Sequence, residues 1–448
     1  MHPGRTKNRA LMSAAGRAAV ATGTTEWYVS LPRAWRSTLM VAVFLLLASV
    51  NAYRTASDLV IQGDPYAARS GLGDFRNNVY YPVRCFLDGR NPYDRAQNQL
   101  YPTSSPTFPP YSPLTLLLHL PFALLPFAAS ELVYYLMTLG FTLLIAVLAL
   151  RFSGLVPTVA SIFGLGSLIL LSRPGQMTLL TGQTTATLVL GFYMALLFAH
   201  DRPWLAGLGL AMSTIKPSFG VPLFLLMLVR KDLRAVAYGT IVGGVPTLGV
   251  TTVLAHRAGG LLPLLALLPA NYQRWNENAV GLANAATSVL RVDAVSFLSR
   301  LVGPLGTSLQ LAITFGILAA AAVGIRQLGQ RHEDGARRLS ASIMCLATLT
   351  CTYHQTYDLL LLCMPLTALA TVPVAPRGAA SQRLRWGLFI ILLIPMFNYL
   401  VSFPAQRRLG VHGATLFALL SLNSGCLVAA LLVFVLVARR RVSHVLDA

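Results

Sequence analysis

The chain has 448 residues, of which 55% are hydrophobic and only 11% are charged, and its formal net charge is +20. A water-facing globule of this composition would expose too much apolar surface, so the composition excludes a soluble protein and indicates one that lies in a lipid bilayer. The positive charge is typical of lysine and arginine held in cytoplasmic loops, and no aromatic and basic module accompanies it that would indicate a nucleic-acid partner.

Residues 1–37 form a polar, basic segment before the first apolar run at 38–53. A long basic leader favours an uncleaved first membrane helix with a cytoplasmic N-terminus. The alternative is a cleaved signal peptide, because Val50-Asn51-Ala52 fits a cleavage site.

Apolar runs recur along the rest of the chain, and a full span needs about 20 such residues. Two short runs meet at Lys216-Pro217 and predict a pair of half-length helices, the second of which begins at the proline. The run 113–127 is bracketed by prolines and predicts a re-entrant or interfacial helix on the outer face. About twelve transmembrane helices are predicted, at 38–53, 130–150, 155–172, 182–199, 203–215, 217–229, 232–254, 303–325, 339–352, 358–373, 386–402 and 413–437.

The basic residues of the short loops set the orientation. Both termini are cytoplasmic under the positive-inside rule, and the long polar segments 54–112 and 255–300 face outward. We therefore predict an all-α polytopic protein of the bacterial inner membrane, with one transmembrane domain at 38–438 and a cytoplasmic tail at 439–448. The basic positions that fall on one side lie at 151, 202, 230–234, 326–338, 377–385 and 439–441.

Cysteine spacing indicates neither a disulfide framework nor a metal site. Four of the five cysteines lie in or at the ends of apolar runs, and Cys85 alone lies in a long polar loop. No C-x-x-C or cysteine–histidine spacing suggests a metal. We assign no metal and no cofactor.

The chain contains fifteen acidic residues, which limits the choice of general base. None lies in the middle of a predicted span, and Glu131 lies near the end of one. Proton-coupled carriers keep ionisable groups at mid-membrane, so this distribution argues against a transporter. The acidic residues predicted to face outward are Asp58, Asp64, Asp74, Asp88, Asp94, Glu277, Asp293 and Asp358.

The densest polar segment spans 73–94. Asp74, either Asn77 or Asn78, and Tyr81 fall at helical spacing, so that one helix face presents a carboxylate, an amide and a phenol that suit a sugar hydroxyl. The alternative from spacing alone is that Asp74 caps the following helix.

Lys216, at the tip of the paired short helices, is a candidate cation for a phosphate. Arg76, Arg84 and Arg291 are alternatives, because a guanidinium binds phosphate bidentately. By itself, Lys216 is equally well explained as a lysine at a helix end that extends its ammonium to the membrane surface.

Several short motifs occur in order between about 55 and 375, and their order and spacing carry more information than any one of them. They are Asp74 before Tyr80-Tyr81, the segment 87–94, the proline-aromatic stretches 108–113 and 121–127, Gly182-Gln183, Lys216-Pro217, and 353–358. Together they resemble glycosyltransferase family 87. The resemblance implies the membrane glycosyltransferase C fold and a relation to mannosyltransferases that use polyprenyl-phosphate mannose.

An enzyme of this family would transfer a sugar, mannose or arabinose-like, from a polyprenyl-phosphate donor to a lipid-linked or cell-envelope acceptor on the outer face, with inversion. Its partners would be this donor, a glycolipid or envelope glycan acceptor, and membrane lipid, with no nucleic acid. The alternatives are a transporter or flippase of lipid-linked saccharides and a noncatalytic component of envelope assembly.

The resemblance also implies site residues. Asp74 holds the position of the family's catalytic aspartate, and Asp58 is its competitor. His354 is the second catalytic residue and orients the acceptor or the donor. Without the family, His354 is explained as a histidine satisfied at an interface, and Asp358 as the cap of a helix. The residues assigned to substrate binding are Lys216, Arg76, Tyr81, Gln183, Tyr357 and Asp358.

The predicted topology is tested by labelling cysteines introduced around Gln97. A membrane-impermeant thiol reagent should modify them in intact cells, because 54–112 faces outward. Labelling that appears only after lysis would contradict this orientation.

Overall fold

The computed structural model describes residues 32–59, 71–103, 108–278, 284–328, 334–371 and 379–446. These residues form an all-helical fold that contains no β-strand, and an isolated bridge joins Arg291 to Gln355. The prediction of an all-α membrane protein is confirmed. Six helices within the described ranges are long and apolar enough to cross a membrane: Arg33–Ser57, Phe127–Phe152, Leu233–Arg257, Thr307–Leu328, Gln382–Val401 and Gly413–Arg439.

The helices are numbered in chain order. The N-terminal third contains α1 (Arg33–Leu59), α2 (73–87), α3 (Arg95–Asn98), α4 (Leu114–Leu118), α5 (Leu120–Ala123) and α6 (Phe127–Phe152). The middle contains α7 (Val159–Leu171), α8 (Arg173–Thr181), α9 (Thr185–Leu197), α10 (Pro203–Ser213), α11 (Pro217–Arg230), α12 (Leu233–Arg257) and α13 (Leu261–Asn278). The C-terminal part contains α14 (Ala294–Val302), α15 (Thr307–Leu328), α16 (Asp334–Cys351), α17 (Thr356–Thr371), α18 (Ala379–Phe397), α19 (Phe403–Leu409) and α20 (Gly413–Leu446), with a 3₁₀ turn at Tyr399–Val401.

Each predicted span coincides with a helix, although the count of about twelve membrane crossings stays a prediction. The paired runs before and after Lys216 form short helices of 11 and 14 residues. The polar segment 255–300, predicted only as an outer loop, contains the helices α13 and α14. The apolar run 113–127 is divided at His119 into α4 and α5, and its place at the membrane surface stays a prediction.

The short helix α10 is held between α9 and α12 by close backbone contact. A Cβ atom built on Gly209 would lie 2.3 Å from the carbonyl oxygen of Gly191 in α9. On another side of α10, a Cβ on Gly207 would lie 2.7 Å from the amide nitrogen of Gly239. Glycines permit such helix approaches in membranes, where packing replaces the hydrophobic effect. This packing fixes the end of α10, which leads to Lys216.

The helix α2 carries the candidate catalytic segment and contains a wide turn. Its residues Arg76–Tyr80 form a π-helical turn, in which the amide of Tyr81 donates to the carbonyl of Arg76. Pro82 follows at once and supplies no amide donor. Turns of this kind occur mostly inside α-helices and frequently at functional sites.

Gly209→Ala tests the close packing of α9 and α10. The added methyl group must displace the Gly191 backbone, so we expect a loss of about 1–3 kcal/mol of stability, measured by denaturant titration in detergent. The matched control is Gly249→Ala in α12, where no atom lies within 4 Å of the built Cβ. This control should be neutral or gain up to about 1 kcal/mol from helix propensity. Equal effects of the two substitutions would contradict the packing described.

Candidate functional site

The carboxylate of Asp358 is fully buried and joins four parts of the chain. Its Oδ2 atom lies 2.6 Å from Nζ of Lys216, 3.0 Å from Nδ1 of His354 and 3.0 Å from the amide nitrogen of Gln355. Its Oδ1 atom accepts a hydrogen bond from the Thr185 hydroxyl at 3.3 Å. A buried charge needs such partners because water is not available to solvate it. Asp358 is therefore the centre of a fixed polar cluster.

Asp358 also contributes to the cap of α17, in whose first turn it lies. Its side chain and that of Gln355 form a reciprocal capping box at the start of α17. The capping interpretation is therefore confirmed, and the same carboxylate binds Lys216 and His354. The two interpretations of Asp358 do not exclude each other.

Lys216 is buried, and only 10% of its side chain is exposed. Besides the ion pair with Asp358, its Nζ lies 5.2 Å from the centre of the Tyr357 ring and 5.5 Å from that of Phe219. Aromatic faces stabilise a desolvated cation. The interpretation of Lys216 as a lysine that extends to the membrane surface is therefore wrong.

Asp74 is held by two amide side chains. The Asn78 amide donates to Oδ1 at 3.1 Å, and the Gln183 amide donates to Oδ2 in a short hydrogen bond. The N-cap of this helical turn is Leu72, so the interpretation of Asp74 as the cap is wrong. The two oxygens of a carboxylate offer about four acceptor positions, so at least one remains after these bonds and the hydrogen bond from Thr181.

The environment shifts the protonation equilibrium of Asp74. Burial raises the pKa of this carboxyl, and the hydrogen bonds from Thr181, Gln183 and Asn78 together with the charge of Lys216 oppose the increase. The residue as a whole is half-buried rather than closed to solvent. A half-buried carboxylate of raised pKa is typical of functional sites.

The approach of Gln183 to Asp74 depends on Gly182. This glycine ends α8 with φ of +69°, and a Cβ there would lie 2.7 Å from Cβ of Phe75. A side chain at this position would push α2 away from the end of α8. The amide of Leu72 also donates to the carbonyl of Leu180 at 2.7 Å, which ties the two segments together.

The phenols of Tyr111 and Tyr357 link the two carboxylates electrostatically. Each interacts electrostatically with both Asp74 and Asp358. The loop that carries Tyr111 is anchored next to Lys216, because the Ser112 amide donates to the carbonyl of Ile215 at 2.9 Å. The Asp74 pair and the Asp358 cluster therefore border one region. Sequence reasoning gave no role to Tyr111 or Thr185, and the only signal for Tyr111 was its proline-aromatic stretch.

Two residues predicted to bind substrate, Arg76 and Tyr81, lie in α2 with Asp74. Arg76 is buried in the π-helical turn, two residues after Asp74. The ring of Tyr81 stacks on Phe127, with 5.6 Å between centroids, and meets the edge of Tyr80. The expected common face of Asp74, an asparagine and Tyr81 is confirmed for Asn78, while Tyr81 joins an aromatic cluster because the wide turn changes the helical spacing.

Two of the three alternative cations, Arg84 and Arg291, have carboxylate partners of their own. Arg84 pairs with Asp88 at 3.5 Å on the surface, and buried Arg291 binds Asp293 through two nitrogens at 2.8 and 3.0 Å.

Among the other acidic candidates, Asp94 caps α3. Across the described ranges, no three histidine, cysteine or acidic side chains are grouped as metal ligands would be. The side chains of Asp58 and Glu277, and residue Asp64, lie outside the described residues.

The sequence model of glycosyltransferase family 87 matches residues 108–352, which is more than half of the chain. The match contains Gln183 and Lys216. It begins after Asp74 and ends before His354, so it does not by itself assign those two positions. No curated protein matches the chain.

The raised pKa of Asp74 predicts a gain of stability in Asp74→Asn. Because the folded state binds the proton more readily than the unfolded state, folding stability is lost as pH rises through the folded pKa. At neutral pH the variant should therefore unfold a few degrees higher than the parent protein. The gain should be smaller at acidic pH than at neutral pH, because the parent carboxyl is then protonated.

Thermal unfolding in detergent at both pH values measures this gain. Asp88→Asn, which changes a half-exposed carboxylate in the same segment, is the matched control and should show little change. A lower unfolding temperature of Asp74→Asn at neutral pH would contradict the predicted effect of burial.

Proposed function

This chain belongs to glycosyltransferase family 87, and from this membership we propose that it transfers a mannose or arabinose-like sugar from a polyprenyl-phosphate donor to a lipid-linked or cell-envelope acceptor. The family makes it a membrane glycosyltransferase. The observation that carries the finer proposal is the carboxylate of a half-buried residue, Asp74, that borders the same region as a buried ammonium, Lys216.

In the proposed reaction Asp74 is the general base. It accepts the proton of the acceptor hydroxyl while the hydroxyl oxygen bonds to the anomeric carbon, and the bond from that carbon to the phosphate oxygen breaks with its electron pair. Attack from the face opposite the phosphate inverts the anomeric centre. Gln183 and Asn78 hold the carboxylate in place, and a raised pKa makes it a stronger base than an ordinary aspartate.

Lys216 is the proposed partner of the departing phosphate. Its ammonium has three protons, and the hydrogen bond to Asp358 uses one of them. The other two are available to phosphate oxygens in a site of low dielectric, where such contacts are strong. Arg76 would add a second positive charge, and Gln183, Tyr81, Tyr357 and Asp358 complete the proposed substrate-binding set.

We propose that His354 acts through Asp358. Its side chain is fully buried, with Nδ1 at Asp358, Nε2 3.3 Å from the Thr352 hydroxyl, and its ring against Phe219. A ring enclosed in this way orients the carboxylate that in turn holds Lys216. His354 is then a positioning residue for the phosphate site.

The hydrocarbon chain of the donor has a candidate place near this site. An apolar cavity of about 540 Å³ between α6, α7, α17 and α18 is lined by Cys363, which follows Asp358 by five residues of 3₁₀ helix, or about 10 Å. Leu168 and Phe397 at its border are exposed on the outer surface of the bundle. Such a cavity suits an isoprenoid chain that enters from the bilayer.

The helix α11 supports an active site on the outer face of the bacterial inner membrane. Lys216 precedes its first residue, and Arg230 and Lys231 lie at its other end. If the positive-inside rule places this basic cluster in the cytoplasm, Lys216 and its neighbour Asp74 face the opposite side.

The experiment that tests the function is sugar transfer by purified Asp74→Asn protein. Without a basic oxygen, turnover should fall by about a hundredfold or more, a typical contribution of general base catalysis. Mass spectrometry of the glycolipid product measures turnover, and binding of the polyprenyl-phosphate sugar should persist. Asp88→Asn, in the same segment, is the control that should keep its turnover.

Two further outcomes separate the alternatives. If Asp74→Asn keeps near-normal transfer while Asp58→Asn loses it, Asp58 is the base. If both variants stay active, general base catalysis by an aspartate of this segment is refuted. A parent protein that moves a lipid-linked saccharide across vesicles without forming product would favour the flippase.

A further inference from the structure

A second cavity, with a charged wall, lies away from the candidate active site. It has a volume of about 210 Å³, and its charged wall consists of Arg151, Arg230, Arg337, Arg338, His200 and Asp201. These residues are separated by up to 187 positions in sequence and come together only in the fold. The proposed transfer reaction does not use them.

The cavity lies at the opposite end of the helix bundle from Asp358. Thr185 and Lys216 contact Asp358 at the beginnings of α9 and α11, and His354 follows the end of α16. The other ends of these three helices reach the cavity, at His200, Arg230 and Arg337. With 14 residues, α11 separates the two regions by about 20 Å.

The charges in the cavity do not balance. Nε of Arg230 pairs with Asp232 at 2.5 Å, and the other carboxylate oxygen of Asp232 lies 3.8 Å from Nε2 of His200. Asp201 is the second acidic residue at this place, against four arginines. Nη2 of Arg230 is buried and has no hydrogen-bond partner among the described residues. Among the described residues, the cavity therefore has more guanidinium groups than carboxylates.

Helix dipoles do not explain this arrangement. Arg151 and Arg230 lie at the ends of α6 and α11, where a positive charge offsets the negative end of the dipole. Arg337 and Arg338, however, lie near the beginning of α16, where the dipole is already positive. The helix begins at Asp334, whose side chain lies outside the described residues, and the positive end of its dipole would also stabilise an anion bound near Arg337 and Arg338.

The position of Arg338 is fixed by a close backbone contact. A Cβ on Gly154 would lie 2.7 Å from Nη2 of Arg338, so the guanidinium packs directly on this turn. Gly154 has φ of +79°, a conformation that glycine adopts without strain. The turn after α6 thus leaves room for the guanidinium at the cavity.

The remaining wall of the cavity is apolar and consists of Phe152, Leu196 and Leu197. A site with guanidinium groups on one side and apolar side chains on the other matches the boundary between lipid headgroups and acyl chains. Basic pockets at the ends of membrane helices bind anionic headgroups.

We propose that this cavity binds the phosphate group of an anionic membrane phospholipid. Guanidinium groups of Arg337 and Arg338 meet the phosphate oxygens in charge-assisted hydrogen bonds, and Arg230 supplies its unpartnered donor. The acyl chains then lie along the apolar wall. This site is independent of the proposed sugar transfer.

Native mass spectrometry of the full chain tests the site after reconstitution in nanodiscs that contain phosphatidylglycerol and phosphatidylcholine. The parent protein should retain phosphatidylglycerol through detergent extraction. Arg337→Gln/Arg338→Gln should weaken this binding by about thirtyfold, because each arginine near an anionic lipid contributes about fivefold. The matched control, Arg202→Gln/Arg234→Gln, changes two exposed arginines outside the cavity and should retain the lipid.

A charge-conserving variant distinguishes loss of the binding site from loss of folding. Arg337→Lys/Arg338→Lys should retain part of the binding, since it keeps the charge and loses the bidentate geometry. Equal loss of lipid from the control variant, or full retention by Arg337→Gln/Arg338→Gln, would overturn the proposal. If inorganic phosphate protects the parent protein from thermal unfolding as well as phosphatidylglycerol does, the cavity is a soluble-phosphate site and the lipid proposal is overturned.

Discussion

A carboxylate buried among membrane helices must have partners, and Asp358 satisfies this constraint by joining α9, α11, α17 and the turn at His354. Removing one partner of a buried ion pair typically costs about 3–5 kcal/mol, because the other charge is left without compensation. The position of Lys216 is therefore tied to the stability of the whole bundle. A cation fixed in this way needs little reorganisation when a phosphate arrives.

The two carboxylates of the site are in different electrostatic surroundings. Asp358 has an ammonium at 2.6 Å and is closed to solvent, whereas Asp74 accepts hydrogen bonds from the neutral side chains of Asn78, Gln183 and Thr181 and is half-buried. Environments that separate the properties of two similar groups often mark different chemical roles. The ion-paired carboxylate is suited to hold a cation, and the amide-bound one is suited to accept a proton.

The helices of this protein could be predicted from the sequence because their signals are local. The proline after Lys216 marks the start of α11, and long apolar runs mark α6 and α20. The helix α13 was missed because its apolar first half is followed by a polar second half. The contact of Gln183 with Asp74 spans 109 positions, and the loop of Tyr111 is anchored to the site by the bond of Ser112 to Ile215, so neither follows from spacing. The resemblance to a family pointed to Gln183, and only the fold explains why it lies there.

The π-helical turn of α2 has a consequence for how the chain tolerates length changes. Such a turn is an α-helix with one additional residue, and the helical phase differs on its two sides. Deleting one residue within 76–80 would restore a regular helix and rotate Asp74 by about 100° relative to the aromatic stack of Tyr81 and Phe127. The carboxylate would then leave Gln183 although every side chain of the site is still present. The alignment of Asp74 with the aromatic stack thus depends on the number of residues between them as much as on their identity.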